Sequence, residues 1–408
     1  MANLSKMLNL TLSSLHIHHL DKSPLFVGNS VKASNIRAKY IVSPIFYNQR
    51  NLFVSKAVFS NSLSPVIYSI LTFGNKTYYP INYTTKYPNQ ITVSRGSFSN
   101  FTSTAVIADS NSHPDSNILF SHCLFVGCRS NFSGGCIFLR FGTANISTTC
   151  CDSCSSTDRG HFLYAEDTYI PNFYCTSIYR SPDGSQYPST IYAFRRNKLT
   201  EKDSHSVNYL NATNGQVQQY NSVIYVYNTV FHINYMQAVN NSGNTIAFFD
   251  QIRYSVIQNI AFAYNTKHDT SVIKFRHLLR VWLGPNLILY KNGPKSFDID
   301  LSESLSDIKI SGKIDEPPVT ESDLKINTNF PYFSITNIST LKFDIPFNMD
   351  CIITPRYKFS KNIKIAIGFI SALNAVVLVI CVYFILIDVK NRINMNQEEG
   401  SSIPAMKP

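Results

Sequence analysis

The chain has 408 residues, a formal net charge of +11 and only 15% charged residues. Its basic residues are scattered, which excludes the stripe of Lys and Arg interleaved with aromatics that a nucleic-acid groove needs. The 24 Tyr and 28 Phe against one Trp favour an all-β body, because aromatic side chains suit a pleated surface.

The first 23 residues hold no apolar stretch long enough for a secretory leader, so none is expected there. His16, His18 and His19 fall in an expected first strand and read as polar strand positions rather than metal ligands. A phrase then recurs. Ser23-Pro24-Leu25-Phe26-Val27 becomes Ser43-Pro44-Ile45-Phe46-Tyr47 and then Ser64-Pro65-Val66-Ile67-Tyr68, at intervals of 20 and 21 residues. Further on, Cys128 and Cys154 lie 26 apart, and Gly135 and Gly160 lie 25 apart before two apolar strands. Ile246-Ala247-Phe248-Phe249 is followed 26 residues later by Val272-Ile273-Lys274-Phe275, and then 25 later by Phe297-Asp298-Ile299-Asp300.

Units this short cannot bury their own apolar face and must stack on their neighbours. The leucine and asparagine ladder of leucine-rich repeats is missing, and the composition disfavours helical repeats. A parallel β-helix remains, with coils of about 22 residues stacked at about 4.8 Å. It predicts that Ile45, Val66, Ile137, Phe162, Ile246 and Val272 point into one core. The expected solenoid runs over residues 1–316, and the polar interval 195–219 reads as a loop or break within it.

Seven of nine cysteines lie between Cys123 and Cys175, on consecutive expected coils. Equivalent positions one coil apart suit disulfides, pairing Cys128 with Cys154, and Cys150 or Cys151 with Cys123 or Cys175. Buried, stacked thiols are the equal alternative. Cys150, Cys151 and Cys154 also resemble half a zinc site, but no second ligand pair stands at a convincing spacing. No metal or cofactor is therefore assigned. Asparagines in glycosylation sequons within the body are Asn75, Asn82, Asn100, Asn131, Asn145, Asn211, Asn240 and Asn337, besides Asn3 and Asn9. The acids Asp109, Asp115, Asp152, Asp158, Asp167 and Asp183 are isolated, without the paired carboxylates of a glycan-cleaving β-helix. No catalytic residue is assigned, and the chain is not expected to be an enzyme.

Residues 317–364 read as a cap and membrane-proximal stalk. From Ile365 to Ile387 there are 23 residues without a formal charge. As a helix they would extend roughly 35 Å, enough for one membrane span. Residues 388–408 form a short polar tail. Arg356, Lys358, Lys361 and Lys364 precede the span, while Lys390 and Arg392 follow it, a bias that favours a cytosolic body.

Phe125-x-x-Cys128 followed by CRSNFSGGCIF resembles the repeats of polymorphic outer membrane proteins, which pair a GGA[IL] phrase with an FxxN phrase. FxxN occurs as Phe231 to Asn234 and Phe262 to Asn265. Those bacterial proteins end in a membrane barrel, unlike this chain. In layout it is similar to the right-handed β-helix surface proteins abundant in trichomonad parasites, which carry one C-terminal span. That resemblance implies a right-handed parallel β-helix outside the plasma membrane, acting as an adhesin or coat module for glycans or proteins. A membrane-anchored polysaccharide lyase or hydrolase, or a tail-anchored intracellular structural protein, is the alternative.

Overall fold

Apolar residues in the longer strands recur at intervals of two and three in alternation. Leu52, Val54, Ala57 and Phe59 are buried along Asn51–Ser62, and Ile91, Val93 and Phe98 are buried along Gln90–Phe101. A plain strand alternates every two residues, so something must reset the phase. Left-handed residues do so. Lys56 (φ 50°) and Asn61 (φ 53°) interrupt the first strand, and Arg95 (φ 55°) and Asn100 (φ 56°) interrupt the next. Each adds one residue, bends the chain and returns the following apolar side chain to the interior. The same spacing of five separates His122 from Gly127, Thr148 from Ser153 and Tyr235 from Asn240.

The computed structural model describes residues 9–335 apart from 22, 28–29, 48–50, 71–89, 111–114, 180–190, 195–203, 216–222, 244, 253, 267–271, 277–279, 291, 293–296, 301–306 and 315–333. Among these, 17 strands form one sheet of long, bent strands and 11 form a second sheet of short ones, with a further small pair. All described pairings along both sheets are parallel, including Asn51↔Gln90, Asn117↔Thr143, Ile137↔Leu163 and Ile224↔Ala247. Each strand pairs with its equivalents one coil before and after, which is the pattern of a parallel solenoid. The chain is all-β through this region.

The repeated phrases stand in register. Phe26 pairs with Phe46, and Phe46 with Ile67. Ile45, Val66, Ile137, Phe162, Ile246 and Val272 are all buried in one apolar core. Inside it, Phe98 stacks on Phe125 with centroids 4.7 Å apart, and Phe249 on Phe275 at 5.2 Å. Such pairs contribute about 0.5–1.5 kcal/mol beyond their area burial.

Three expectations need correction. The polar interval 195–219 contains the strand Ser204–Thr213, which pairs on both sides with its neighbours. His205, Val207, Leu210 and Ala212 are buried while Ser206, Asn208 and Asn211 between them are half-buried, and residues 195–203 and 216–219 lie outside the described residues. Longer coils occur elsewhere, at the offsets Asn51↔Gln90 and Phe173↔Val207. The glycine alignment also slips by one. Gly134 (φ 76°) rather than Gly135 occupies the left-handed position of Gly160 (φ 70°), and Ile137 pairs with Leu163. Finally, coils of about 22 residues give way to offsets of 21 early on and 24–27 later, close to the 20-to-26-residue recurrence of the sequence. No helix among the described residues is long and apolar enough to cross a membrane. The expected span at 365–387, most of the stalk and the tail lie outside the described residues.

Candidate functional site

On the face of the short-stranded sheet that points away from the core runs a column of rings, of which Tyr47, Tyr68 and Tyr164 are buried and Phe138, Tyr192, Tyr225 and Phe248 half-buried. Register places Tyr47, Tyr68, Ile107, Phe138, Tyr164, Tyr192, Tyr225, Phe248 and Lys274 one above another. Tyr164 stacks on Phe138 at 4.9 Å, on Tyr192 at 5.5 Å, and Tyr192 on Tyr225 at 4.8 Å. Phe248 meets Tyr225 edge-on. One coil of solenoid therefore spaces one ring from the next, close to the strand separation itself.

Charged groups flank the column. The Arg159 guanidinium lies 4.9 Å over Tyr192 and donates to its hydroxyl at 2.8 Å. Arg276 and Lys274 approach the Phe248 ring at 5.7 and 5.8 Å. Two residues along, Arg140 pairs with Asp109 at 3.3 Å, and Arg276 grips Asp250 with two nitrogens at 3.2 and 2.5 Å. Tyr164 donates to Glu166 at 3.2 Å. Burial, aided by the Glu166 carboxylate, pushes the Tyr164 phenol above its ordinary range, and burial raises Tyr192 against the pull of Arg159. The phenols stay neutral donors across physiological pH. A separate cavity of about 400 Å³ on the long sheet is lined by Leu10, Lys32, Phe53 and Thr92, with Lys32 5.7 Å from the Phe53 ring.

The cysteines divide into three environments. Cys150 is disulfide-bonded. Cys123 is a buried thiol whose sulfur reaches the carbonyls of Val93 and Ser121, and burial pushes it up to about 11. Cys128, Cys136, Cys151 and Cys154 are buried, are not joined by disulfides, and converge. The sulfurs of Cys128, Cys136 and Cys154 lie within 4.8 Å of one another, and Cys151 lies 3.7 Å from Cys136. Of the two arrangements the spacing allows for Cys128 and Cys154, disulfide or stacked thiols, the structure holds them as thiols. Burial raises Cys128, Cys136 and Cys151 well above the ordinary thiol. Burial also raises Cys154, but hydrogen bonds from those three neighbours bring it well below.

Local backbone makes this convergence possible. Ser153 (φ 56°) and Gly127 (φ 60°) turn the two coils so that Cys154 and Cys128 face inward. Gly134-Gly135 then leads into Cys136, where a Cβ on Gly135 would stand 2.1 Å from the His161 carbonyl oxygen. His161 is fully buried beside the cluster, its Nδ1 accepting the Ser156 backbone N–H at 2.9 Å. Burial pulls His161 down to about 4, partly opposed by Cys154. The sequence pattern places Cys150, Cys151 and Cys154 in half a site. It missed Cys136 and His161, whose only signal was the 26-residue coil offset.

Of the sequon asparagines, Asn100, Asn131 and Asn240 are exposed, while Asn145 and Asn211 are half-buried. Asn100 donates to Asn61 at 3.2 Å. Asn75, Asn82 and Asn337 lie outside the described residues, as does the side chain of Cys175. Of the two FxxN asparagines, Asn265 is buried and Asn234 is half-exposed, accepting from Asn259 at 2.7 Å.

No protein family, curated protein or solved structure matches this chain. Its function is therefore argued from its own residues.

Proposed function

We propose that the chain is a cell-surface binding module, an adhesin or coat component, that holds a glycan or protein ligand along its outward aromatic column. The observation that carries this reading is the stack from Phe138 to Phe248 with Arg159 and Arg276 over its rings. Stacked face to face, the rings offer their edges and phenol hydroxyls, and these with the flanking guanidinium groups suit the hydroxyls or carboxylates of a ligand. A ligand with a repeating backbone meets the same chemistry on each coil, as extended solenoid surfaces allow. The binding reading also needs no catalytic carboxylate pair.

The solenoid is read as right-handed, since parallel crossover connections take that hand in nearly all cases. Residues 365–387 are read as the membrane anchor, with the body outside. A disulfide at Cys150 suits an oxidising compartment, and the exposed sequons Asn100, Asn131 and Asn240 suit the same side.

Two measurements test this. Purified chain would be screened on a glycan array and by pull-down of surface proteins, with Tyr192→Ala and Tyr225→Ala compared. The expected result is binding that weakens at least tenfold in both variants. Depolymerisation of a bound polysaccharide would instead make the chain an enzyme. Glycosidase treatment of full-length protein from its own cells would increase its gel mobility if the body is outside. An unchanged mobility, with the body resistant to external protease, would reverse the orientation and remove the adhesin reading.

A further inference from the structure

We infer that Cys128, Cys136, Cys151 and Cys154 form a buried zinc site that cross-braces two consecutive coils of the solenoid. Cys128 and Cys136 come from one coil, and Cys151 and Cys154 from the next. A tetrahedral zinc–thiolate centre with Zn–S bonds of about 2.3 Å has sulfur–sulfur edges of about 3.8 Å. Cys136 and Cys151 already stand 3.7 Å apart, and Cys128, Cys136 and Cys154 fall within 4.8 Å of one another. Small inward shifts complete the tetrahedron. All four side chains are buried, so the site is closed to a fifth ligand, as structural zinc centres are.

His161 supplies an independent observation. Its Nδ1 accepts the Ser156 N–H, so its proton sits on Nε2. That Nε2 is buried with no hydrogen-bond partner, although buried donors are nearly always satisfied. Its resolved electrostatic neighbour is Cys154. A metal-bound thiolate gives this orphaned donor an acceptor, which is how histidines and amides commonly support thiolate centres.

Packing alone explains the cluster less well. Cys123 is a buried thiol whose sulfur reaches the backbone carbonyls of Val93 and Ser121, whereas the four clustered sulfurs, besides carbonyl contacts of their own, lie against one another. Four thiols at a common point in an oxidising compartment would also be exposed to disulfide formation unless held. Binding changes no oxidation state. Each ligating thiol loses its proton to solvent as its Zn–S bond forms.

The test uses the full chain, purified without chelator and then reconstituted from the reduced apoprotein with zinc or cobalt(II) alone. Expected are one zinc per chain by elemental analysis and, with cobalt, the intense visible bands of a tetrahedral thiolate complex. Cys128→Ser and Cys136→Ser should weaken binding at least tenfold, while Cys123→Ser should leave it unchanged. Circular dichroism identifies variants that fail to fold. For those, the decision rests on wild-type protein, whose melting temperature should fall on chelation and recover with zinc. Absence of stoichiometric zinc in refolded wild-type chain overturns the inference. So does equal loss in Cys123→Ser, or peptide mapping that finds Cys128–Cys154 or Cys136–Cys151 disulfides in protein from its own cells. None of these outcomes depends on ligand binding at the aromatic column.

Discussion

Asn265 holds Asn241 from one coil above: its Oδ1 accepts both the backbone N–H and the Nδ2 of Asn241, at 2.9 and 3.0 Å. Asn292 repeats the arrangement on Asn265, at 3.2 and 2.7 Å. Each Nδ2 also caps a backbone carbonyl, Ala212 for Asn241 and Ala238 for Asn265. All three side chains are buried. The corner that bends the backbone thus satisfies its own polar groups from one coil to the next. Cys128 and Cys154, each two residues past a strand end in the same register, occupy the equivalent corner on earlier coils.

Asn265→Ala should destabilise the solenoid by about 3 kcal/mol, because it takes the side-chain partner from the Asn241 N–H and from the Ala238 carbonyl, while Asn292 keeps the Asn265 N–H and the Phe262 carbonyl. Urea unfolding followed by circular dichroism reads this directly. A loss below about 0.5 kcal/mol, typical of surface positions, would mean that water replaces the ladder.

Val66→Asp should abolish cooperative folding or cost more than about 4 kcal/mol. The Val66 side chain is fully buried in the core, and its carbonyl accepts from Ile45 and Phe46 of the neighbouring coil. The carboxylate would find no partner there. Retained wild-type thermal stability in this variant would argue against the assigned core.

Gly135→Ala and Gly96→Ala should differ. At Gly135 the added methyl meets backbone, the carbonyl oxygens of His161 at 2.1 Å and Ser155 at 2.6 Å. At Gly96 it meets side-chain atoms of Phe98 at 2.9 Å and Val93 at 3.0 Å, which can shift. The expected costs are about 3 kcal/mol or more at Gly135 and about 1 kcal/mol at Gly96. Melting temperatures of the two variants rank them, and equal values would contradict the close approach.

His232 should titrate below its ordinary value of 6.5, because burial disfavours its charged form. Its Nδ1 accepts the Val256 N–H at 3.3 Å, an interaction of the neutral ring. A depressed histidine contributes stability above the unfolded pKa and loses it as pH falls through 6.5 toward the folded value. NMR titration of the ring gives the shift, and His232→Gln should flatten that acid limb of the stability curve. An unshifted titration would contradict the burial.

Much of the solenoid was legible because stacking is periodic in the chain. The Ser-Pro phrases that contain Phe26, Phe46 and Ile67 recur at the spacing their strands pair. The left-handed corners were not legible. Lys56, Arg95, Tyr235 and Tyr264 occupy them alongside Asn61 and Asn100, so residue type carries little signal. For the same reason the strand Ser204–Thr213 read as loop: its buried residues follow the two-and-three spacing rather than strict alternation.

The amino-acid sequence by itself determined the all-β class, the stacking of short units and which apolar residues enter the core. Those properties follow from β-propensity and from a period that any coil must share with the next. Only the tertiary structure decided the sites. Cys136 and Cys151 are 15 residues apart in the chain yet 3.7 Å apart in space, and Tyr164, Tyr192 and Tyr225 stack across coils of unequal length. Those meetings depend on where each corner bends and how many residues each coil takes in, which no local pattern states.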